Sequence, residues 1–211
     1  GGCGACTVTV SNFDIHVGKV VHKAVNACIA PLCAMDGCNI LTVEGIGQAH
    51  NKTMHPVQQR LADSHGSQCG YCTPGFVMSM YSLLRNKAEP SEHDVEHALD
   101  GNLCRCTGYR PILDSFKTFC CKGSESKLAA EGAVPPYKDT PEIPLPERLM
   151  PASYKPQSLV LAGTKSTWFR PTSLGEMLKI KQQYPTVKMV AGNSELEIER
   201  KFRGSSWQVL L

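Results

Sequence analysis

Four cysteines stand in two closely spaced pairs, and their spacing points to metal chemistry. Two residues separate Cys69 from Cys72, and a single residue separates Cys104 from Cys106. One intervening residue is too short a tether for an easy mutual disulfide, whereas two thiolates on one tight turn can share an iron atom. Structural zinc usually takes pairs with two to four intervening residues, which the second pair fits poorly. The spacing therefore favours a 2Fe-2S cluster and leaves zinc open as the alternative.

Each cysteine pair leads into the start of a predicted helix. Pro74 and Pro111 follow the two pairs within a few residues, and proline is favoured in the first helical turn. A cluster held by four thiolates is anionic, and a helix N-terminus offers it unpaired N–H groups and the positive end of the helix dipole. We therefore expect the four thiolates to converge at two helix starts.

A second group of cysteines lies at the beginning of the chain. Cys3 and Cys6 stand in a glycine-rich run, and Cys28 follows a valine-rich stretch. This order matches the later part of a plant-type ferredoxin loop, in which a cysteine pair with two intervening residues is preceded by one ligand and followed by a distant one. The preceding ligand would fall before residue 1, so the sequence predicts three of four ligands. The alternative is a flexible glycine-rich segment without a metal.

The cysteines are expected to be positioned by β-strands in the first part of the chain and by helices in the next. Up to about residue 48, Thr7–Val10 and Ile40–Val43 alternate as β-strands do, which predicts a small β-rich domain whose first strands are missing. From residue 49 to 121 the apolar residues take helical spacing, with helix starts predicted at Pro56, Thr73, Ser91 and Pro111. Four short helices imply a compact bundle.

The second half of the chain divides into a connector and a new ordered region. Residues 122–166 are rich in proline, glycine, serine and charge, which predicts an extended linker. From residue 167 onward, Ser173 and Glu176 are spaced as a helix capping box, and a strand is predicted over Val187–Ala191. The turn at 192–194 that follows this strand could present N–H groups to a pyrophosphate, although such a turn alone is more often only a turn.

Composition sets broad limits on function. The chain has 211 residues, 42% of them hydrophobic, and a formal net charge of +3, so no strong attraction to nucleic acid or to a membrane surface is indicated. Eleven cysteines occur without a signal peptide or an apolar run near twenty residues. This combination is typical of a reducing intracellular compartment, where clustered cysteine means metal or redox chemistry.

The cysteine segments also carry a resemblance to a known family. Residues 66–75 and 101–111, together with Gly2–Cys6 and Asn26–Cys28, resemble the molybdenum hydroxylase family of xanthine dehydrogenases and aldehyde oxidases. The resemblance covers nearly the whole chain and is weakest in the linker. The run Gly192–Leu196, followed by Ile198 and Glu199, is more similar to xanthine dehydrogenase than to aldehyde oxidase.

The resemblance implies an α+β fold in four parts. Residues 1–48 would be a truncated β-grasp domain of the 2Fe-2S ferredoxin type, and residues 49–121 a four-helix 2Fe-2S-binding bundle. Residues 122–166 would be a proline-rich linker, and residues 167–211 the first part of an α+β FAD-binding domain.

The resemblance also implies a route for electrons. In this family, electrons taken from a purine (hypoxanthine or xanthine) at a molybdopterin centre cross two 2Fe-2S clusters to FAD, and then reduce NAD or dioxygen. The cluster nearer molybdenum would be held by Cys69, Cys72, Cys104 and Cys106, and the cluster nearer flavin by Cys3, Cys6 and Cys28. Gln68 resembles the glutamine that reaches the pterin cofactor. The partial FAD site would comprise Met189, Val190, Ala191, Gly192, Asn193, Ser194, Glu195 and Leu196.

Two departures from the family pattern limit what is carried over. The leading ferredoxin cysteine lies outside the chain, so the first cluster is expected to bind poorly. Glu197 stands where the family has glycine, and its carboxylate would weaken FAD binding unless it pointed to solvent. The molybdenum domain is absent from these residues, so the chain is expected to be inactive alone.

The expected partners are the FAD and molybdenum domains of the same polypeptide, with a homodimer in the full-length protein and no nucleic acid or membrane. The expected location is the cytoplasm or the peroxisome. Three alternatives remain at this stage: an aldehyde oxidase of the same family, a separate iron-sulfur carrier subunit, and a zinc-stabilised interaction module.

Overall fold

The computed structural model describes residues 1–47, 54–120, 137, 140, 142–147, 155 and 157–211. These ranges contain six α-helices and two three-stranded sheets, a mixed α+β architecture of the predicted class. None of the helices in the described ranges has the length and apolar character needed to cross a membrane.

The first sheet is built around its first strand. Strand β1 (Thr7–Asp14) lies in the centre and pairs antiparallel with β2 (Lys19–Asn26) and with β3 (Asn39–Leu41). The register places Val8 opposite Val25. Short 3-10 turns follow the second and third strands, and their ranges are Ala27–Ile29, Leu32–Met35 and Val43–Gly45.

Four helices follow, each near its predicted start. They are α1 (Pro56–Asp63), α2 (Thr73–Asn86), α3 (Glu92–Leu99) and α4 (Arg110–Lys117). Ser91 and Asp94 form a capping box at the start of α3. A second capping box, formed by His55 and Gln58, opens α1.

The largest apolar core belongs to this bundle. Phe76, Val77 and Met80 of α2 are buried with Ile112 and Phe116 of α4, all at 1% exposure or less. Because α2 contributes residues on most of its faces to burial, it is the central helix of the bundle. The two cysteine pairs immediately precede α2 and α4, so the core fixes both helix starts.

The first sheet packs on α2 through polar side chains. Thr9 of β1 is 1% exposed, and its hydroxyl lies 2.8 Å from the hydroxyl of Ser82. The Asn86 side chain accepts a hydrogen bond of 3.0 Å from the backbone amide of His22 and donates one to the backbone carbonyl of the same residue. Hydrogen bonds therefore fix the sheet against the bundle where a hydrophobic contact would be expected.

The C-terminal part forms a second sheet. Strands β4 (Leu159–Ala162) and β5 (Thr167–Arg170) are antiparallel, and β6 (Val209–Leu210) is parallel to β5. Helices α5 (Leu174–Gln183) and α6 (Leu196–Arg203) lie between β5 and β6 in the chain.

Two predictions for this part need correction. Strand β4 lies inside the predicted linker, because the apolar run Leu159–Ala162 pairs antiparallel with β5 despite its polar surroundings. The strand predicted over Val187–Ala191 is reduced to a single bridge between Lys188 and Leu210. Most of the predicted linker lies outside the described residues, and the prediction of an extended chain there stays a prediction.

One described part of the connector is anchored on the bundle. The Glu142 carboxylate accepts a hydrogen bond of 2.7 Å from the Tyr81 hydroxyl and lies 3.6 Å from the Arg85 guanidinium. Its other oxygen lies 3.6 Å from Nε2 of His55. The Nδ1 atom of His55 accepts from the Val57 amide, so neutral His55 carries its proton on Nε2, facing Glu142. A half-buried carboxylate with these partners ties the connector to one place on the bundle.

Candidate metal centre

The two turns that precede α2 and α4 bring the four predicted bundle ligands together. The Cys72 thiol interacts with that of Cys104, and the Cys69 thiol interacts with that of Cys106. Each contact joins one cysteine from each turn. The convergence that the spacing predicted is therefore present in the structure.

Glycine makes both turns possible. Gly70 follows Cys69 with a φ of 81°, and Gly108 follows the second pair with a φ of 69°, both in the left-handed region that favours glycine. Cys72 is the N-cap residue of α2 and provides no side-chain cap, so the helix start faces the thiols without a competing carboxylate. The positive end of α2 is directed at the cysteines, as predicted.

The environments of Cys72 and Cys104 move their pKa values in opposite directions. Burial, and then contact with Cys104, raises the pKa of the Cys72 thiol to about 11. Burial alone would raise the pKa of Cys104 as well, but hydrogen bonds from the hydroxyl and the amide of Thr107 lower it to about 7. Cys104 is therefore the bundle cysteine whose thiolate is the better stabilised of these two.

The donor set fits a two-iron group. Among the described residues, no three histidine, cysteine or carboxylate side chains converge on a point that would suit one ion. The thiols instead form two contacting pairs, and each pair joins one cysteine of each turn, not the two cysteines of one turn as the spacing argument supposed. Two pairs favour a cluster in which each iron takes two thiolates over a single tetrahedral ion.

The predicted N-terminal site is assembled in part. The Cys28 amide donates to the Cys6 sulfur at 3.5 Å, so these two residues lie together. Cys3 lies in the same loop with an exposed side chain. Burial raises the pKa of the Cys6 thiol.

The two cysteine sites are joined through backbone contacts. The amide of Leu103, next to Cys104, donates to the carbonyl of Cys3 at 2.8 Å. The buried Asn102 side chain donates to the carbonyl of Gly4 at 3.1 Å and accepts from the Ser79 hydroxyl at 2.7 Å. A continuous covalent and hydrogen-bonded path therefore runs from one site to the other.

This junction requires glycine on both sides. A Cβ atom on Gly4, which has a φ of 71°, would lie 2.2 Å from the carbonyl oxygen of Gly101. A Cβ atom on Gly75 of α2 would lie 2.2 Å from the carbonyl oxygen of Gly4. Sequence reasoning missed Asn102 and Gly75, since a contact between residues so distant in the chain leaves no periodic signal.

Gln68 lies where a ligand could reach it. Its side chain is exposed and lines an open cleft of about 490 Å³ beside the bundle cysteines. Thr107 and Arg110 line the same cleft. Nothing in the cleft tests the predicted contact with a pterin, which stays a prediction.

The predicted FAD loop, residues 189–196, lies against the N-terminal cysteine loop. Asn193 adopts a left-handed φ of 58°, and its side-chain amide donates to the carbonyl of Ile29 at 2.8 Å. The Lys201 ammonium donates to the carbonyl of Cys28. The structure therefore brings the two regions together, although it does not test whether the loop binds FAD.

Glu197 is neither exposed nor unpaired. Its side chain is 12% exposed, and its carboxylate pairs with the guanidinium of Arg200 and, at 3.4 Å, with the ammonium of Lys201. The hydrogen bond from Arg200 keeps the pKa of Glu197 below its usual value. Two cations of the same helix compensate the carboxylate that stands where a glycine was expected, an arrangement that the sequence prediction did not include.

The remaining described cysteines lie apart from both sites in sequence. Cys33, Cys38 and Cys120 are half-buried. Burial raises the pKa of the Cys38 thiol. Cys121 lies outside the described residues. The prediction of structural roles for these residues stays a prediction.

Comparison with known proteins gives a consistent set of relatives. The family model of the 2Fe-2S binding domain matches residues 42–117, which include the four bundle cysteines. Across 238 aligned residues and the whole of this chain, the sequence is 47% identical to a xanthine dehydrogenase of Calliphora vicina. It is 44% identical to the xanthine dehydrogenase/oxidase of Mus musculus over 235 residues. The chain spans 18% of the length of either relative.

Two solved structures each match 56% of this chain. The aldehyde oxidoreductase of Desulfovibrio gigas matches with a TM-score of 0.48 and 38% identity, over 56% of this chain and 12% of that chain. The quinoline 2-oxidoreductase of Pseudomonas putida matches with a TM-score of 0.46 and 32% identity, over 56% of this chain and 65% of that chain.

Proposed function

Because the chain belongs to the molybdenum hydroxylase family, we propose that it is the electron-transfer portion of a xanthine dehydrogenase-like oxidoreductase. The observation that carries this proposal is the convergence of two cysteine turns at the starts of α2 and α4. A 2Fe-2S cluster accepts and releases single electrons when it is bound to such a set of thiolates. The two relatives align with the whole chain, which supports placing all of its segments in this family.

The bundle residues have defined tasks in this proposal. Cys69, Cys72, Cys104 and Cys106 would hold the cluster nearer molybdenum. The bundle core fixes the two helix starts, and the turns shield Cys104, which is 6% exposed. Thr107 stabilises the Cys104 thiolate through two hydrogen bonds.

The N-terminal loop would hold the second cluster. Cys3, Cys6 and Cys28 would supply three of its ligands. The hydrogen bond from Leu103 to the carbonyl of Cys3 gives a short route for electrons between the two sites, because it starts next to Cys104. The contacts of Asn193 and Lys201 with residues 28 and 29 would carry the route on toward FAD.

The remaining parts of the proposed activity involve groups outside the two cysteine sites. FAD would be bound in part by residues 189–196, and Gln68 would reach the pterin of a molybdenum domain elsewhere in the polypeptide. The proposed reducing substrate is a purine, which the names of the relatives support over an aldehyde. We propose the FAD and molybdenum domains and a second copy of the full-length protein as partners, in the cytoplasm or the peroxisome.

Anaerobic reconstitution with iron and sulfide tests the proposal. The parent chain should gain absorption between about 400 and 550 nm that bleaches with dithionite. Cys104→Ser and Cys106→Ser should lose the iron and sulfide of the bundle site, whereas Cys38→Ser, a matched control outside both sites, should keep the parent content. The proposal fails if the two ligand variants hold as much iron and sulfide as the parent.

A further inference from the structure

Three residues of the second cysteine turn form a closed set of hydrogen bonds. The Cys104 amide donates to the Tyr109 hydroxyl at 3.1 Å, and the Tyr109 amide donates to the Thr107 hydroxyl oxygen at 3.2 Å. The Thr107 hydroxyl lies 3.1 Å from the Cys104 sulfur, and the Thr107 amide donates to the same sulfur at 3.4 Å. The ring therefore begins and ends on one predicted cluster ligand.

The direction of the contact between hydroxyl and sulfur follows from its neighbours. The Thr107 oxygen already accepts the Tyr109 amide, so its own proton is free to point at the sulfur. A cysteine that ligates iron is a thiolate and has no proton to donate. Thr107 is therefore the donor, and Cys104 receives two hydrogen bonds from a single residue.

The ring is held by a backbone conformation that is unusual for tyrosine. Tyr109 has a φ of 69°, in the left-handed region, which costs a residue with a side chain about 1–3 kcal/mol. This conformation lets its amide and its hydroxyl both face the turn. The Tyr109 ring also packs edge-on against Phe76, with ring centroids 6.3 Å apart. Packing in the core thus maintains the strained residue that positions Thr107.

The first cysteine turn provides a natural contrast. Thr73 follows Cys72 as Thr107 follows Cys106, so the two turns repeat a Cys-Thr pair. The Thr73 hydroxyl, however, lies 2.8 Å from the hydroxyl of Ser67. The sequence repeat is therefore not a repeat of the hydrogen bonding, and Thr73 serves as a matched reference for Thr107.

We propose that Thr107 sets the reduction potential of the bundle cluster by donating to the Cys104 sulfur, and that Tyr109 is the residue that positions it. This inference rests on the proposed function. Reduction adds one electron to the cluster, and no bond is made or broken. Hydrogen bonds to a ligand sulfur withdraw electron density and stabilise the more negative, reduced state. Removing the hydroxyl should therefore make the cluster harder to reduce.

The test is a redox titration of the reconstituted chain followed by electron paramagnetic resonance. Thr107→Val should keep the parent iron content and shift the reduction equilibrium toward the oxidised form by up to about tenfold, which is 59 mV for a one-electron couple. Thr107→Ser retains a hydroxyl and should restore the parent value. Thr73→Val, the matched reference, should leave the potential of this cluster unchanged. Tyr109→Phe should shift it in the same direction as Thr107→Val, by less.

Each contrary result has a definite meaning. An unchanged potential in an iron-replete Thr107→Val overturns the inference and leaves the proposed function standing. Equal shifts in Thr107→Val and Thr107→Ser, or in Thr107→Val and Thr73→Val, also overturn it. Should Thr107→Val and Thr107→Ala both lose iron while Thr107→Ser keeps it, the hydroxyl is needed for assembly and the tuning role is wrong. Failure of the parent to bind iron and sulfide would instead overturn the proposed function.

Discussion

The two cysteine regions of this chain differ in what supports them. The bundle cysteines precede two helices whose core residues, Phe76 and Phe116 among them, are almost fully buried. The N-terminal loop borders a three-stranded sheet whose central strand buries polar side chains such as Thr9 against α2. One region is fixed by its own apolar core, and the other is fixed by hydrogen bonds and close contacts with that core.

We infer from this difference that the structure of the N-terminal loop depends on the bundle, whereas the structure of the bundle depends far less on the loop. Two bundle residues hold Gly4 in place: the Asn102 side chain donates to its carbonyl, and Gly75 packs against the same carbonyl. A change in the bundle core should therefore affect both regions, and a change at the junction should affect mainly the loop. The following substitutions test that order of dependence.

The largest effect is expected from Phe116→Ala. Phe116 is 0% exposed at the centre of the bundle, and removal of a buried aromatic ring costs about 3–5 kcal/mol. Urea unfolding followed by circular dichroism should show this loss, and the protection of β1 amides from hydrogen exchange should fall with it. Phe202→Ala is the matched control, because Phe202 is 78% exposed and should change stability by less than about 0.5 kcal/mol. Retained protection of β1 in a destabilised Phe116→Ala bundle would contradict the dependence.

A smaller effect, confined to the loop, is expected from Gly75→Ala. The new Cβ would lie 2.2 Å from the carbonyl of Gly4, and this overlap costs about 2–3 kcal/mol, more than the 1 kcal/mol or so that alanine contributes within a helix. Hydrogen exchange should show faster opening of residues 1–6 with little change in α4. Gly101→Ala has open space around its Cβ and should behave as the parent. Equal behaviour of the two variants would show that the junction is not tight.

Asn102→Ala should weaken the same junction by about 2 kcal/mol, because it removes the donor to Gly4 and leaves the buried Ser79 hydroxyl without its acceptor. Much of this cost is the unsatisfied hydroxyl. The double variant Ser79→Ala/Asn102→Ala should therefore lose less stability than the sum of the two single variants, as measured by a double-mutant cycle in urea. Strict additivity would mean that the two side chains do not interact.

The smallest effect expected is a pH dependence from His22. Burial, and then the nearby Arg85 cation, lowers the pKa of His22 to about 4, compared with 6.5 in an unfolded chain. Between these values the unfolded chain binds the proton and the folded chain does not. Stability is therefore fully present above pH 6.5 and is lost as the pH falls toward 4. The full difference in pKa corresponds to about 3 kcal/mol, and partial screening by solvent reduces the expected loss to about 1–2 kcal/mol.

His22→Gln should flatten this part of the curve of unfolding free energy against pH. His16→Gln, which changes an exposed histidine, should follow the parent. A parent-like slope in His22→Gln would assign the acid sensitivity to other groups.

The cysteine spacing and the prolines were enough to predict that the four bundle cysteines meet at the starts of two helices. Pro74 and Pro111 do stand in the first turns of their helices, and the paired thiols lie at those starts. These features are local, so the sequence carries them directly. The prediction of ligand roles for the individual cysteines stays a prediction.

What the sequence did not reveal depends on contacts between distant segments. The bond from Asn102 to Gly4, the ring through Tyr109 and the pairing of Glu197 with Arg200 all require side chains to meet in three dimensions. Strand β4 was missed because its four residues form a strand only where β5 lies beside them. Their composition predicted a linker, but tertiary pairing with β5 makes these residues a strand.

The most direct test is the iron, sulfide and zinc content of the chain in which Cys3, Cys6 and Cys28 are replaced by serine, after anaerobic reconstitution. Because only the bundle cysteines of the two sites then remain, about two irons and two sulfides per chain are predicted, with absorption that dithionite bleaches. A colourless protein that holds one zinc ion and no sulfide would contradict the assignment of this centre to electron transfer.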